Sequence, residues 1–240
     1  MTRRVQLDNV EHAQLRVNDR AGLEARSVNQ ALVVPHEFEQ LQRDYPILFR
    51  TDSDGGFQAV AILGLDRGEN LFLREGEWIT RYVPATLRRG PLFLAVADVE
   101  QAGEPGIVID LDDARVGDSE GERLFLPHGG AGPFLQQAAE ALRTVHEGLQ
   151  ASRVMFELFA ELDLIAPIEI NVDLGNGTHY RLPDLFTVAA EQLSSLPGSS
   201  LERLNRAGLL AAAIHARSSL ANINRLIELK TQKLASAIGA

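Results

Sequence analysis

Apolar and polar positions change their period part-way along the 240-residue chain. Strand-like spacing dominates the first half and helical spacing takes over after Pro133. Residues 31–34 form a short apolar run closed by Pro35, which holds the preceding residue in extended geometry. Phe38, Leu41 and Tyr45 then fall at helical spacing over 36–45, and Pro46 opposes continuation of the helix. Residues 47–49 read as a strand leaving it. Asp52-Ser53-Asp54-Gly55-Gly56 is a strong turn signal, because glycine admits positive φ and short polar side chains bond their own backbone. With an apolar strand over 57–65, the segment 47–65 predicts a hairpin. Residues 70–73 and 78–83, flanking the turn at 75–77, predict another. Further strands are expected at 92–96 and 107–111, separated by a polar loop over 98–106. A turn-rich stretch, 112–122, leads to the apolar triplet 124–126.

Over 134–150, Leu135, Ala138, Ala139, Leu142, Val145 and Leu149 mark an amphipathic helix with one apolar stripe. Ser152 is expected to N-cap a second helix carrying Val154, Phe156, Leu158, Phe159 and Leu162. Residues 168–174 alternate with period two, as a half-buried strand does, and the turn at 175–177 returns the chain along 178–182. The tail, 201–238, keeps helical spacing, with Gly208 placed to divide it. No repeat, low-complexity run or linker stands out, so one domain over 1–240 is expected. The expected fold class is α+β: a mixed, mostly antiparallel sheet drawn largely from the N-terminal half, packed with C-terminal helices.

Composition removes several functions. The net charge is −10, which disfavours phosphate backbones and anionic lipid, so no nucleic-acid partner is expected. There is no cysteine, hence no disulfide, thiolate nucleophile or cysteine-held metal. No apolar run has the length of a signal peptide or membrane span, so a cytoplasmic protein without membrane insertion is expected. Of the 23 basic residues only Lys230 and Lys233 are lysine. Codon usage in a GC-rich genome explains that bias, and an arginine-based recognition surface is the alternative.

Motifs for nucleotide hydrolysis and for a serine-hydrolase elbow are missing. None of the six histidines stands in an H-x-D/E pair or four residues from another, so no metal or other cofactor is expected. Two segments concentrate polar chemistry. The first holds Asp110 and Asp112 near a strand end and His128 before two glycines. These could bind a cation or polarise a ligand, or could simply solvate a turn and shape a loop. The second runs Trp78-x-x-x-Tyr82-Val83-Pro84…Arg88-Arg89-x-Pro91-x-Phe93. Its paired arginines could clamp a carboxylate bidentately, or its aromatics could be core and its arginines paired internally. The apolar stripe of the tail is either core or a contact for a homodimer through the C-terminal helices.

Several stretches in order resemble the SapC family across nearly the whole chain. They are Tyr45-Pro46-x-x-Phe49, Gly64-Leu65…Glu69-Asn70-Leu71-Phe72, Trp78, Tyr82-Val83-Pro84 and Arg88-Arg89-x-Pro91-x-Phe93, then Leu185-Phe186-Thr187-Val188 and Ser219-Leu220-x-Asn222-Ile223. Where the family pattern reads Arg-Arg-Tyr-Pro-Phe, this chain has Gly90 after Arg88-Arg89. The stretch from Ile109-Asp110-Leu111-Asp112 to His128-Gly129-Gly130 resembles a subgroup whose genes lie beside tryptophan-halogenase-like, cupin-like and TonB-dependent receptor proteins. The family name implies a surface-layer association, and the resemblance brings no catalytic residues with it.

These readings lean away from an enzyme. They favour a non-catalytic accessory or binding protein that handles a peptide, a protein or an aromatic small molecule together with a halogenase-like or cupin-like enzyme. The candidate ligand-binding residues are Trp78, Tyr82, Arg88, Arg89, Asp110, Asp112 and His128. The alternatives are an enzyme of unknown reaction built on His128, Asp110, Asp112, Arg88 and Arg89, and a surface-layer component.

Overall fold

The computed structural model describes residues 3–18, 27–95, 106–175 and 177–238. The predicted loop over 98–106 falls almost wholly outside them, as do Val96 of the predicted strand and Asn176 of the predicted turn. The strands, in chain order, are β1 (Arg4–Gln6), β2 (Arg16–Val17), β3 (Gln30–Val33), β4 (Ile47–Thr51), β5 (Phe57–Ile62), β6 (Leu73–Arg74) and β7 (Glu77–Trp78). They continue with β8 (Leu92–Leu94), β9 (Ile107–Asp110), β10 (Val116–Gly117), β11 (Glu122–Arg123), β12 (Ile165–Asp173) and β13 (His179–Val188). Every pairing among them is antiparallel, and the fold is α+β.

The chain forms two compact units, one from Met1–Arg26 with Ala85–His146, the other from Ser27–Pro84 with Glu147–Ala240. In the first, β1-β9-β8 make one small sheet and β10-β2-β11 another. The strands are too short to show a period, and for β1, β2, β10 and β11 the sequence carries no legible signal. Their apolar faces close on Val17, Leu92, Ile109, Leu124, Phe134, Leu135 and Leu142. The apolar triplet 124–126 contributes a single bridge, between Phe125 and Ala131.

The second unit is built on a five-stranded sheet, β12-β13-β4-β5-β3. The predicted 47–65 hairpin is its β4–β5 pair, closed by Asp52, whose Oδ1 accepts the N–H of Asp54 at 3.0 Å and of Gly56 at 2.8 Å. The return strand β13 runs to Val188, six residues past its expected end at 182, across an irregularity in which Pro183 and Asp184 oppose the single residue Glu169. Asp184 takes a φ of 57° there, and Pro183 has no N–H to give the ladder. The 70–83 hairpin shrinks to two pairs, Leu73–Trp78 and Arg74–Glu77.

The two expected helices after Pro133 are one, Pro133–Glu161. Ser152 does not cap: its hydroxyl donates to the carbonyl of Gly148 at 2.8 Å, the back-bond a serine makes inside a continuous helix. The tail breaks as expected at Gly208, whose φ of 71° separates Gly198–Arg206 from Leu209–Ser218. In the C-terminal helix Asn222–Ile238, Ile223 and Leu226 face Pro46, Leu48, Ile62, Leu65, Ile170 and Leu182. That part of the tail's apolar stripe is core.

Candidate functional site

In the first unit the helix Ala85–Arg88 ends in a turn that places Arg89. Arg89 N–H bonds the Ala85 carbonyl at 3.1 Å and Gly90 N–H bonds Leu87 at 3.2 Å. Gly90 then reverses the chain at a φ of 59°, where a Cβ would lie 2.7 Å from Phe134 Cζ. The ring of Phe134 thus fills the room a side chain at position 90 would need, which accounts for glycine at this point. The Arg89 guanidinium reaches forward onto β8: Nη1 donates to the Leu92 carbonyl at 2.7 Å, and its carbon sits 3.9 Å from the centre of the Phe93 ring.

Arg4 reaches the same ring from β1, its guanidinium carbon 4.0 Å from the centre. Arg4 is the register partner of Asp110, and Arg4 Nε stands 3.8 Å from Asp110 Oδ2. Arg115 is committed nearby to Asp113 through two parallel bonds of 2.9 and 2.7 Å. Burial pushes the Asp113 carboxyl up, but Arg115 outweighs it and holds the group below its ordinary value. Burial, with the Arg115 and Arg4 charges close by, lowers Arg89.

The other candidates of this unit have local duties. Asp110 Oδ1 accepts Asp112 N–H at 3.2 Å, and Asp112 Oδ2 accepts Arg3 N–H at 2.8 Å, so these carboxylates shape the turn after β9. His128 lies exposed at a loop tip with Gly129 and Gly130, at φ of 91° and 93°. Arg88 is half-buried. Of the predicted set, then, Arg89 and Asp110 gather around Arg4, and His128 is held apart on its loop. Phe93, quoted only as the end of a motif, and Arg4 join them through strand register, which the sequence does not display.

In the second unit Trp78 is half-buried in the β6–β7 hairpin, and Tyr82 is a support. The Tyr82 hydroxyl donates to Glu37 Oε1 at 3.0 Å, and its carbonyl accepts the Tyr45 hydroxyl at 2.7 Å. Tyr45 is fully buried, with its ring edge-on to Phe72 at 4.6 Å, and burial raises its pKa. The turn at Tyr45-Pro46 is met by the tail. Ser219 Oγ accepts the Ile47 N–H at 2.8 Å, and Asn222 Nδ2 donates to the carbonyls of Gln42 and Tyr45 at 2.7 and 3.1 Å.

A second meeting of distant segments is ionic. Glu69 is buried and accepts Lys230 at 2.7 Å and Lys233 at 2.9 Å on Oε1, with the N–H groups of Leu65 and Asp66 on Oε2. Lys230 also reaches Asp66 at 2.5 Å. Both lysines of the chain therefore converge on one carboxylate. Burial alone would raise the Glu69 carboxyl, yet these donors hold it below its ordinary value. Gly64 makes room: a Cβ there would lie 2.2 Å from the Glu69 carbonyl oxygen.

The same unit has an open groove of about 600 Å³ between strands β3 and β5 and the second half of the long helix. Leu32, Phe57, Ala59, Leu149 and Phe156 line it with apolar surface, and Asp52, Arg153 and Glu157 are its charged residues. Phe57 and Phe156 lie 5.9 Å apart, and Phe57 stacks edge-on with Phe186 at 5.1 Å. Sequence reading missed it. Phe57 and Phe156 look like any other core positions of a strand and a helix, and Leu149, 48% exposed, is the groove-lining position of the helical stripe where pattern and burial disagree. Among the described residues no group of three or more His, Asp or Glu side chains is placed to hold a metal ion. No described helix is long and apolar enough to cross a membrane.

Among the described residues, the motifs around Tyr45, Glu69, Ser219 and Asn222 knit the interior of an α+β fold. The chain belongs to the SapC family, whose family model matches residues 7–226 and so runs through both units. No curated protein and no solved structure matches it.

Proposed function

We propose that the protein is a non-catalytic accessory protein of the cytoplasm, acting as one domain. It holds an aromatic group of a peptide, protein or small molecule for modifying enzymes encoded beside it, of the halogenase-like or cupin-like kind. The observation that supports this most is the groove of about 600 Å³, a volume in the range of small-molecule sites, with Phe57 and Phe156 in its lining and charges of both signs around it. Edge-to-face packing on these rings would select aromatic over aliphatic groups. The chemistry-bearing side chains weigh against turnover, since Asp110, Asp112, Asp113 and Glu69 are each engaged in a turn or an ion pair.

Titration with N-acetylated amides of phenylalanine, tyrosine and tryptophan tests the groove. Saturable shifts of the Phe57 and Phe156 ring signals are expected. Leu149→Glu should abolish them without moving the unfolding midpoint, because Leu149 is exposed. Absence of saturation sinks the groove as the site. The accessory role is tested separately, by assaying the neighbouring enzymes with and without the purified chain; equal rates and no co-purification would end it.

A further inference from the structure

We infer that the first unit carries a second site, for a monoanionic carboxylate, formed by Arg89 and Arg4 against the Phe93 ring. It does not rest on the groove. Arg89 is half-buried, and among the described residues no carboxylate stands within ion-pair distance of it. A partly desolvated guanidinium is ordinarily paired. Of its five donors one is spent on the Leu92 carbonyl. The guanidinium carbons of Arg89 and Arg4 lie 3.9 Å and 4.0 Å from the centre of the Phe93 ring, so one ring brings both cations together and limits their motion.

Charge then narrows the ligand. Arg115 and Asp113 neutralise one another, Arg4 faces Asp110 at 3.8 Å, and Arg89 is left as the surplus positive charge. Arg3 and Asp112, joined through the Arg3 N–H, add one charge of each sign. One net positive charge in a protein of net charge −10 matches a single carboxylate better than a phosphate dianion. The Phe93 ring already has both cations over it, so recognition runs through the guanidinium forks and asks for no aromatic group on the ligand.

The test is a titration of the intact chain, labelled with ¹⁵N-arginine, with sodium benzoate and with sodium acetate at constant ionic strength set by chloride. The Nε–H signals of Arg89 and Arg4 should shift saturably with either salt. Arg89→Gln should weaken binding by about tenfold or more, as the loss of a charged hydrogen bond implies, and Arg89→Lys should recover only part of it. Leu149→Glu, in the groove, should leave binding unchanged. Shifts no different from those in chloride, an unaltered affinity in Arg89→Gln, loss of binding in Leu149→Glu, or inorganic phosphate displacing benzoate at lower concentration would each overturn the assignment.

Discussion

Replacing Lys230 by methionine keeps the apolar stem and removes the ammonium that joins the C-terminal helix to Glu69 and Asp66. The side chains of Lys230 and Glu69 are only 4% and 5% exposed, so the carboxylate left behind cannot be rescued by water. Breaking a buried pair from one side costs about 3–5 kcal/mol. Lys233, still 2.9 Å from Glu69, places the loss at the lower end, about 3 kcal/mol. For a chain of this size that is a drop of roughly 6–12 °C in the unfolding midpoint. Thermal and urea unfolding followed by circular dichroism at pH 7 provide the assay.

Glu69→Gln on top of Lys230→Met should restore a large part of the loss, because the uncompensated charge goes. Acid supplies an independent check of sign. The Glu69 carboxyl is lowered in the folded state, so its contribution is complete above the ordinary carboxylate range and disappears as pH falls through the lowered value. Lys230→Met should therefore lose its disadvantage in acid. A midpoint within about 2 °C of the parent at pH 7, or a penalty that grows on acidification, would refute the reasoning.

Ser219→Ala leaves the buried N–H of Ile47 without its acceptor and should cost about 1–3 kcal/mol in urea unfolding. Tyr45→Phe removes the bonds to Thr80 and to the Tyr82 carbonyl, with an expected loss of about 1–2 kcal/mol by the same assay. Gly64→Ala drives a Cβ into the Glu69 carbonyl oxygen and should yield a chain destabilised by at least about 1–3 kcal/mol, visible as a lower midpoint or as insoluble protein. His128→Ala, at an exposed tip, should leave the midpoint unchanged to within about 0.5 kcal/mol.

Local chemistry was the legible part of this chain. The turn at 52–56, the alternation in 168–174 and the break at Gly208 each carry their cause within a few residues, and the structure has them there. Non-local causes were not legible. Nothing near Ser152 says that its hydroxyl will turn back to Gly148 instead of capping, since both uses suit serine. The extension of β13 past Pro183 depends on an irregularity opposite Glu169. The site fared likewise: Arg88-Arg89 drew notice as a pair in sequence, whereas the cation that shares the Phe93 ring with Arg89 is Arg4, brought in by the register of β1 on β9. The SapC-like motifs at 45–46 and 219–222 were read as separate signatures. In the fold they are two halves of one contact.

The convergence of both lysines on Glu69 also makes the chain its own reporter. A lysine-specific protease has two internal cleavage points, and both lie on a helix held down by the carboxylate they share. Cutting there needs the helix around the scissile bond to open, so where reclosing outpaces cleavage the digestion rate in native buffer follows the opening equilibrium around that bond. Amine-directed labels meet the same barrier at Lys230, and their uptake at that position would count the same opening events.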